Sequence, residues 1–508
     1  MQEKLTREER RKALGTALLI VLFALILAGI IFWYANRDED EVVSTPTESA
    51  ELRQAAEELD TITVRCDFDP DTGTLTGTSQ LVLENRTGKT LDRTVLRSWS
   101  SAYQTADSSP WTTDELYDTC YPEGFSAGGL TVLSATLNGV EAEFTLSDDA
   151  GTVIEIPADW APGEKLQVDL TWSVTVPDCA ASFGLADGVW SFSHVLPQPA
   201  VYDGEGWRTD PYLSTGDSFL AECADWQVRL TAPEGWQAAA TGYAASTRTD
   251  GRSVWNFTAS AVRDFSFALS RGWQEAAGMT GDTLIIVRAG TRKEARSILK
   301  TAKKALKLYN SLYGEYPYPT LTLAETGLSC LDEQADSCLC LISAGAVESG
   351  GDRLEYAVAE AVAHEWWGIL VGNDGYNQPW QDDSLCEYAL LEYIGSENGE
   401  DSRQSAAFER VETALRITIP SGVTPGSPVD RFGTLSEARE VVSRRGAALW
   451  LALENLLGHE ELNRELLSYR SSFAFRIAGR EEMEQLLEAE SGRSLQALFL
   501  DYLDTNMN

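Results

Sequence analysis

The stretch "VAEAVAHEWWGILVGND" (residues 358–374) decides how the second half of this chain is read. Small apolar residues surround Glu360 and His364, which stand four apart. On a helix that spacing puts both side chains on one face. His364-Glu365 also opens the pattern H-E-x-x-H, whose two histidines hold a metal from one helix face. The second histidine of that pattern would fall on Gly368. The stretch therefore carries half of a metal motif, and Trp366 and Trp367 read as core and cleft wall.

Around it the pattern is helical. A helix is expected over 353–371. Upstream, Ile298, Ala302, Ala305, Tyr309 and Leu312 recur at helical spacing within 292–313, and Gly314 ends the run. The short apolar "LTLAE" (321–325) reads as a strand. Downstream, "TLSE" (434–437) is a capping box ahead of a long helix through Leu457, closed by Gly458. Two amphipathic helices, around 459–473 and 480–490, and "SLQALFLDYL" complete a domain spanning 273–508. Residues 56–272 instead alternate in the β manner, as in "TLTGTSQLVLENRTG" and "KLQVDLTWSVTVP". "LNG" (137–139) there marks a hairpin turn. The fold class is thus α+β and multidomain.

The first residues differ in kind. Residues 1–12 are basic, with Lys4, Arg7, Arg10, Arg11 and Lys12, and 13–36 carry no charge. About 20 apolar residues span a bilayer as a helix. The positive flank is expected to stay cytoplasmic, with the bulk of the chain outside. A signal peptide is the rival reading, but "FWYANRDED" offers no small-residue cleavage site. A single-pass membrane anchor at 13–36 is therefore expected, followed by an acidic tether at 37–55. Asp and Glu number 78 against 40 Lys and Arg, a net charge of -38. That surface excludes nucleic acid and anionic lipid as partners of the folded part. The eight cysteines suit a compartment that permits disulfides, with a full disulfide framework one option and buried thiols plus one or two disulfides near 330–340 the other.

Several fragments resemble one family and follow its order. "QPAVYDGEGWRTDPYLSTGDSFLAECADWQVRLTAPEGWQAAATG" and "RDFSFALS" resemble the end of its β domain. "ALKLYNSLYGEYPYPTLTLAE" resembles the opening of its catalytic domain, and "WWGILVGNDGYNQPWQDDSLCEY" its zinc helix and the helix after. "SRRGAALWLALENLLG" and "SGRSLQALFLDYL" resemble its helical end. The family is the membrane alanyl aminopeptidase family of zinc metallopeptidases (gluzincin aminopeptidases), in its compact bacterial form. The resemblance implies a β-rich saddle domain followed by a thermolysin-like catalytic-type domain.

The family's zinc helix, V-A-H-E-x-A-H-Q-W-W, laid on Trp366 and Trp367 without a gap, makes His364 its second histidine. Its first histidine then falls on Glu360, its general-base glutamate on Ala361, and its third ligand on Asp383. Glu360, His364 and Asp383 are thus the candidate metal ligands. This set is harder than two histidines and a glutamate, so it would hold zinc or another divalent ion weakly, or no metal. Alanine cannot take a proton from a metal-bound water. The family's amine-gripping glutamate falls on Ala335, and its oxyanion-binding tyrosine on Ser443. No catalytic residue is assigned, and Glu365 is expected to be a neighbour of the site. His194 and His459 read as ordinary polar residues.

Three functional readings follow. The first is a membrane-anchored, catalytically impaired or inactive homologue whose cleft binds peptides or a protein partner. The second is an active metallo-aminopeptidase with an unusual Glu360/His364/Asp383 site. The third is an accessory subunit of a membrane complex. The bland reading of the three polar residues is a hydrogen-bonded cluster without metal.

Overall fold

The computed structural model describes residues 47–113 and 115–505. The expected cytoplasmic tail (1–12), anchor (13–36) and first part of the tether lie outside the described residues. Among the described residues no helix is long and apolar enough to cross a membrane. The tether expected at 37–55 gives way early to structure, because Ala50–Ala56 is a helix. Ser49 caps it by accepting from Leu52 N at 3.0 Å, and Leu52 is buried. Glu51 accepts two bonds from the Arg470 guanidinium, at 2.7 and 2.9 Å. One cap, one buried leucine and one bidentate ion pair outweigh the local polarity.

The β-rich domain is built on an eight-stranded sheet. Asp60–Asp69 lies inside it, parallel to Ala224–Pro233 and antiparallel to Thr74–Glu84. The alternation is literal: Ile62, Val64, Cys66 and Phe68 are all buried on one face. Asn138 (φ 50) and Gly139 (φ 78) turn the expected hairpin between Gly129–Leu137 and Val140–Ala142. Two four-stranded sheets cover the core. The last strand of one of them along the chain is Phe267–Ser270, and the next strand, Gln274–Thr280, already belongs to a different sheet.

That second sheet has five strands, in the order Gln274–Thr280, Thr283–Ala289, Thr320–Thr326, Leu339–Ser343, Glu333–Asp336. The three central strands run parallel. Their residues are nearly all buried, as both-face coverage requires. Glu333–Asp336 is an antiparallel edge. Helix α1 (Arg292–Tyr313) starts in a Thr291/Glu294 capping box and ends at Gly314, φ +91. Its buried stripe, Ala295, Ile298, Ala302, Ala305, Leu306, Tyr309 and Tyr313, packs on the sheet and on α2 (Gly351–His364).

Helix α2 stops at His364, shorter than the expected 353–371. Beyond it the turns widen: Ile369 N bonds His364 O at 3.3 Å, Leu370 N bonds Glu365 O at 3.2 Å, and Val371 N bonds Trp366 O at 3.0 Å. Gly368 leaves the helix at φ +95, where a Cβ would meet Asp382 Oδ2 at 3.0 Å. Helix α3 (Trp380–Asn398) follows and is buried almost all round. The helix expected from "TLSE" to Leu457 is one run in three parts: Leu435–Arg439, wide π turns over Glu440–Arg445, and α4 (Ala447–Leu457). Gly446 lets this run approach α3, since a Cβ there would come 2.9 Å from the Cβ of Ser384. Helices α5 (His459–Phe473) and α6 (Arg480–Ser491) and the turns from Gln496 to Asp504 close the domain.

Candidate functional site

One cleft, enclosing about 150 Å³, gathers side chains from both halves of the fold. Glu360 and His364 reach it from the last turns of α2, and Asp382 and Asp383 from the first turn of α3. Glu333 and Ala335 come from the edge strand, and Arg439 and Ser443 from the π-bulged helix. The β-rich domain contributes Trp111, His194, Tyr212 and Asp217.

His364, Asp382 and Asp383 each offer a ligand atom, and these atoms lie within 4.8 Å of one another. Burial, and then the nearby Arg439 charge, push the His364 imidazole down to about 4, so it is neutral and able to ligate. Burial, and then the Asp217 charge, push the Asp382 carboxyl up to about 7, while burial and the neighbouring Asp382 push that of Asp383 well above its usual range. Asn373 Nδ2 donates to Asp382 Oδ1 at 2.7 Å and fixes its orientation. Two adjacent buried carboxyls beside a neutral imidazole fit a divalent cation.

Two of the three expected ligands belong to this group and one does not. Glu360 lines the cleft but is not a member; Asp382 stands in its place. Asp382 and Asp383 of "QDD" (381–383) both lie in the first turn of α3 after Pro379. That doublet was the available signal. Arg439 explains what Glu360 does instead. Burial works against the guanidinium, yet Glu360, Glu333 and Asp383 hold its pKa above the ordinary value. The cleft thus carries its own fixed cation. Glu333, buried and next to the Glu360 charge, is pushed up to about 8.

None of the three positions that the resemblance matches to the base, the amine anchor and the oxyanion donor carries an ionisable side chain. Ala361 is fully buried, and its carbonyl accepts the Cys340 thiol at 3.6 Å. Ala335 presents a methyl to the cleft, and Ser443 a short hydroxyl from the π turns. Glu365 points away into the core. Its Oε2 accepts from Tyr316 Oη at 2.6 Å and from Cys338 N at 3.2 Å, and burial pushes its carboxyl up to about 8.

His194 is more than the ordinary residue the sequence suggested. At φ 49 it stacks on Phe219, ring centroids 3.7 Å apart, and its Nε2 lies 3.2 Å from Asp336 Oδ1. Ser193 Oγ and Gln334 Nε2 also donate to Asp336 Oδ1, at 3.0 and 3.1 Å. Asp264 is close enough to form a second potential ligand group with His194 and Asp336. Burial opposes the His194 charge, but Asp336, Asp264 and Asp217 push it up to about 9. The His194 imidazolium and the Asp336 carboxylate form a buried ion pair between the β-rich domain and the cleft's edge strand. Strand and loop sequences so far apart give no local signal of it.

With this geometry in hand, comparison with known proteins is informative. No protein-family model matches the chain. Aminopeptidase M1-A of Oryza sativa subsp. japonica is 23% identical over 230 residues, covering 42% of this chain and 26% of the relative. Human aminopeptidase N is 24% identical over 157 residues, covering 29% and 16%. Tricorn protease-interacting factor F2 of Thermoplasma acidophilum is 23% identical over 216 residues, covering 39% and 27%. The chain therefore matches about a quarter or less of these relatives' length. In structure, the M1 zinc metallopeptidase from Deinococcus radiodurans superposes with a TM-score of 0.62 at 19% identity, over 89% of this chain and 94% of that one. A mutant of that enzyme bound to a Tyr-Ser-Ala substrate gives 0.60 at 17% identity, over 88% and 94%.

Proposed function

We propose that this chain, a relative of the gluzincin aminopeptidases in sequence and in fold, is a metallopeptidase-like protein whose cleft receives the free amino-terminal end of a peptide and hydrolyses it slowly or not at all. The observation that carries this reading is Ala361. The turn of α2 between Glu360 and His364 offers a buried methyl where a base would have to stand. A positioned general base contributes about 10²–10⁴-fold to rate. Ser443 removes an oxyanion donor, and such a donor is worth about 10²–10³-fold. His364, Asp382 and Asp383 would hold zinc or another divalent ion weakly, and such an ion would polarise a bound carbonyl. Acidic side chains around the cleft suit a protonated amine. In this proposal residues 13–36 anchor the protein in a membrane, with the cleft on the outer side.

A second reading, an active peptidase with an unconventional base, draws support from Glu333. It is a cleft carboxyl that burial and the Glu360 charge push up to about 8, and its Oε2 has no hydrogen-bond partner among the described residues. Calorimetric titration with a tripeptide having a free amino terminus tests the proposal. Saturable binding with the peptide recovered intact is expected. Absence of binding would overturn the cleft's role, and recovery of the free terminal amino acid would favour the second reading.

A further inference from the structure

Three cysteines meet where the β-rich domain touches the cleft's edge strand. Cys120 ends a short helical turn, Tyr117–Cys120, and is fully buried. Its carbonyl accepts from Ala180 N at 2.8 Å, and the Ala180 carbonyl accepts from Ser329 N at 2.9 Å. These two bonds lace three remote segments together and deliver the side chains of Cys120, Cys179 and Cys330 to one place. The Cys120 and Cys330 side chains are near enough to influence each other, and Cys179 lies near both. The Cys179 thiol is already engaged by Tyr121. Cys330 alone of the three is partly exposed, on the wall of a polar pocket beside the cleft.

From this arrangement we infer that Cys120 and Cys330 are a disulfide-forming pair that staples the cleft's edge strand to the β-rich domain. The segment at stake is short. Cys330 stands three residues before Glu333, and the strand it leads into presents Glu333 and Ala335 to the cleft. Pairing would therefore hold the cleft rim, while reduction would free it.

The chemistry balances with a small-molecule disulfide such as oxidised glutathione as oxidant. The Cys330 thiolate attacks one glutathione sulfur, the glutathione S–S bond breaks, and one glutathione thiolate leaves. Cys120 then loses its proton to solvent, attacks the Cys330 sulfur and expels the second glutathione. Two protein thiols are oxidised and one glutathione disulfide becomes two thiols. Cys120 is fully buried, which disfavours its thiolate, so the second step is the slow one. Cys330 is the entry sulfur because solvent reaches it.

The test uses the full chain, folded, in an oxidised glutathione buffer. Remaining thiols are alkylated, the protein is digested without reduction, and the peptides are weighed. A peptide pair joined through Cys120 and Cys330, lighter by two hydrogens than the free pair, is expected as the main cross-link. It should persist in Cys179→Ser and vanish in Cys330→Ser. Hydrogen exchange over residues 327–336 should slow on oxidation in the wild type and not in Cys330→Ser. Full alkylation of both Cys120 and Cys330 after oxidation would overturn the inference, as would a dominant Cys120–Cys179 or Cys179–Cys330 link. Cys330→Ser removes a partly exposed thiol, so loss of folding does not stand in for either result.

Discussion

Tyr316 donates its hydroxyl to Glu365 Oε2 at 2.6 Å, and this buried bond takes the conspicuous glutamate of "HEWW" out of the cleft. The bond belongs to the packing beneath α2. Glu365→Gln keeps an acceptor for Tyr316 and should cost less than about 1.5 kcal/mol. Glu365→Ala leaves the hydroxyl unpaired beside a cavity and should cost about 2–4 kcal/mol. Denaturant unfolding measures both. Peptide binding should be unchanged in Glu365→Gln; a loss of binding there would return Glu365 to the site.

The metal group makes a sharper distinction. Asp382→Asn and Asp383→Asn should each weaken zinc or manganese binding more than about tenfold, by calorimetry. Glu360→Gln should change it less than about threefold. If Glu360→Gln weakens binding as much as Asp383→Asn, the helix pair Glu360/His364 holds the ion after all.

Arg439 competes with any cation for the same carboxylates. Arg439→Gln should therefore raise divalent-metal affinity several-fold, about tenfold at most for a partly screened charge. A fall in affinity would mean that the guanidinium organises the ligands.

His194 gives a pH signature. Its folded value, about 9, lies above the ordinary value of about 6.5. The His194–Asp336 pair therefore contributes fully below about pH 6.5, and that contribution is lost as pH rises through about 9. Wild-type stability should decline over this window, and His194→Gln should remove most of that slope. Parallel slopes in chemical denaturation would show that the imidazole is neutral when folded.

Much of the architecture was legible because it is local. The change from β alternation to helical period, the hairpin at Asn138-Gly139 and the stop at Gly314 each reside in a few adjacent residues. The tryptophan pair set a register that brings His364 and Asp383 into one cleft. What was not legible depends on contacts between remote segments. Asp382 becomes a ligand candidate because Asn373 and the turn at Gly368 position it. Glu360 faces Arg439, which a bulged helix delivers from far along the chain. Helix α2 ends at His364 because the next residues close wide turns, a choice their apolar composition does not announce. The ion pair of His194 with Asp336 unites two domains, and no periodicity encodes it.

In the proposed function the cleft keeps the shape of a peptidase site without its base. The direct measurement is turnover of an alanyl reporter by the purified full chain, with added zinc, manganese or cobalt and with chelator. Chelator-sensitive turnover with any of the three ions is expected to be absent or at least about 10²-fold below that of ordinary peptidases. Chelator-sensitive turnover in the range ordinary for enzymes, about 1–10³ s⁻¹, would contradict it.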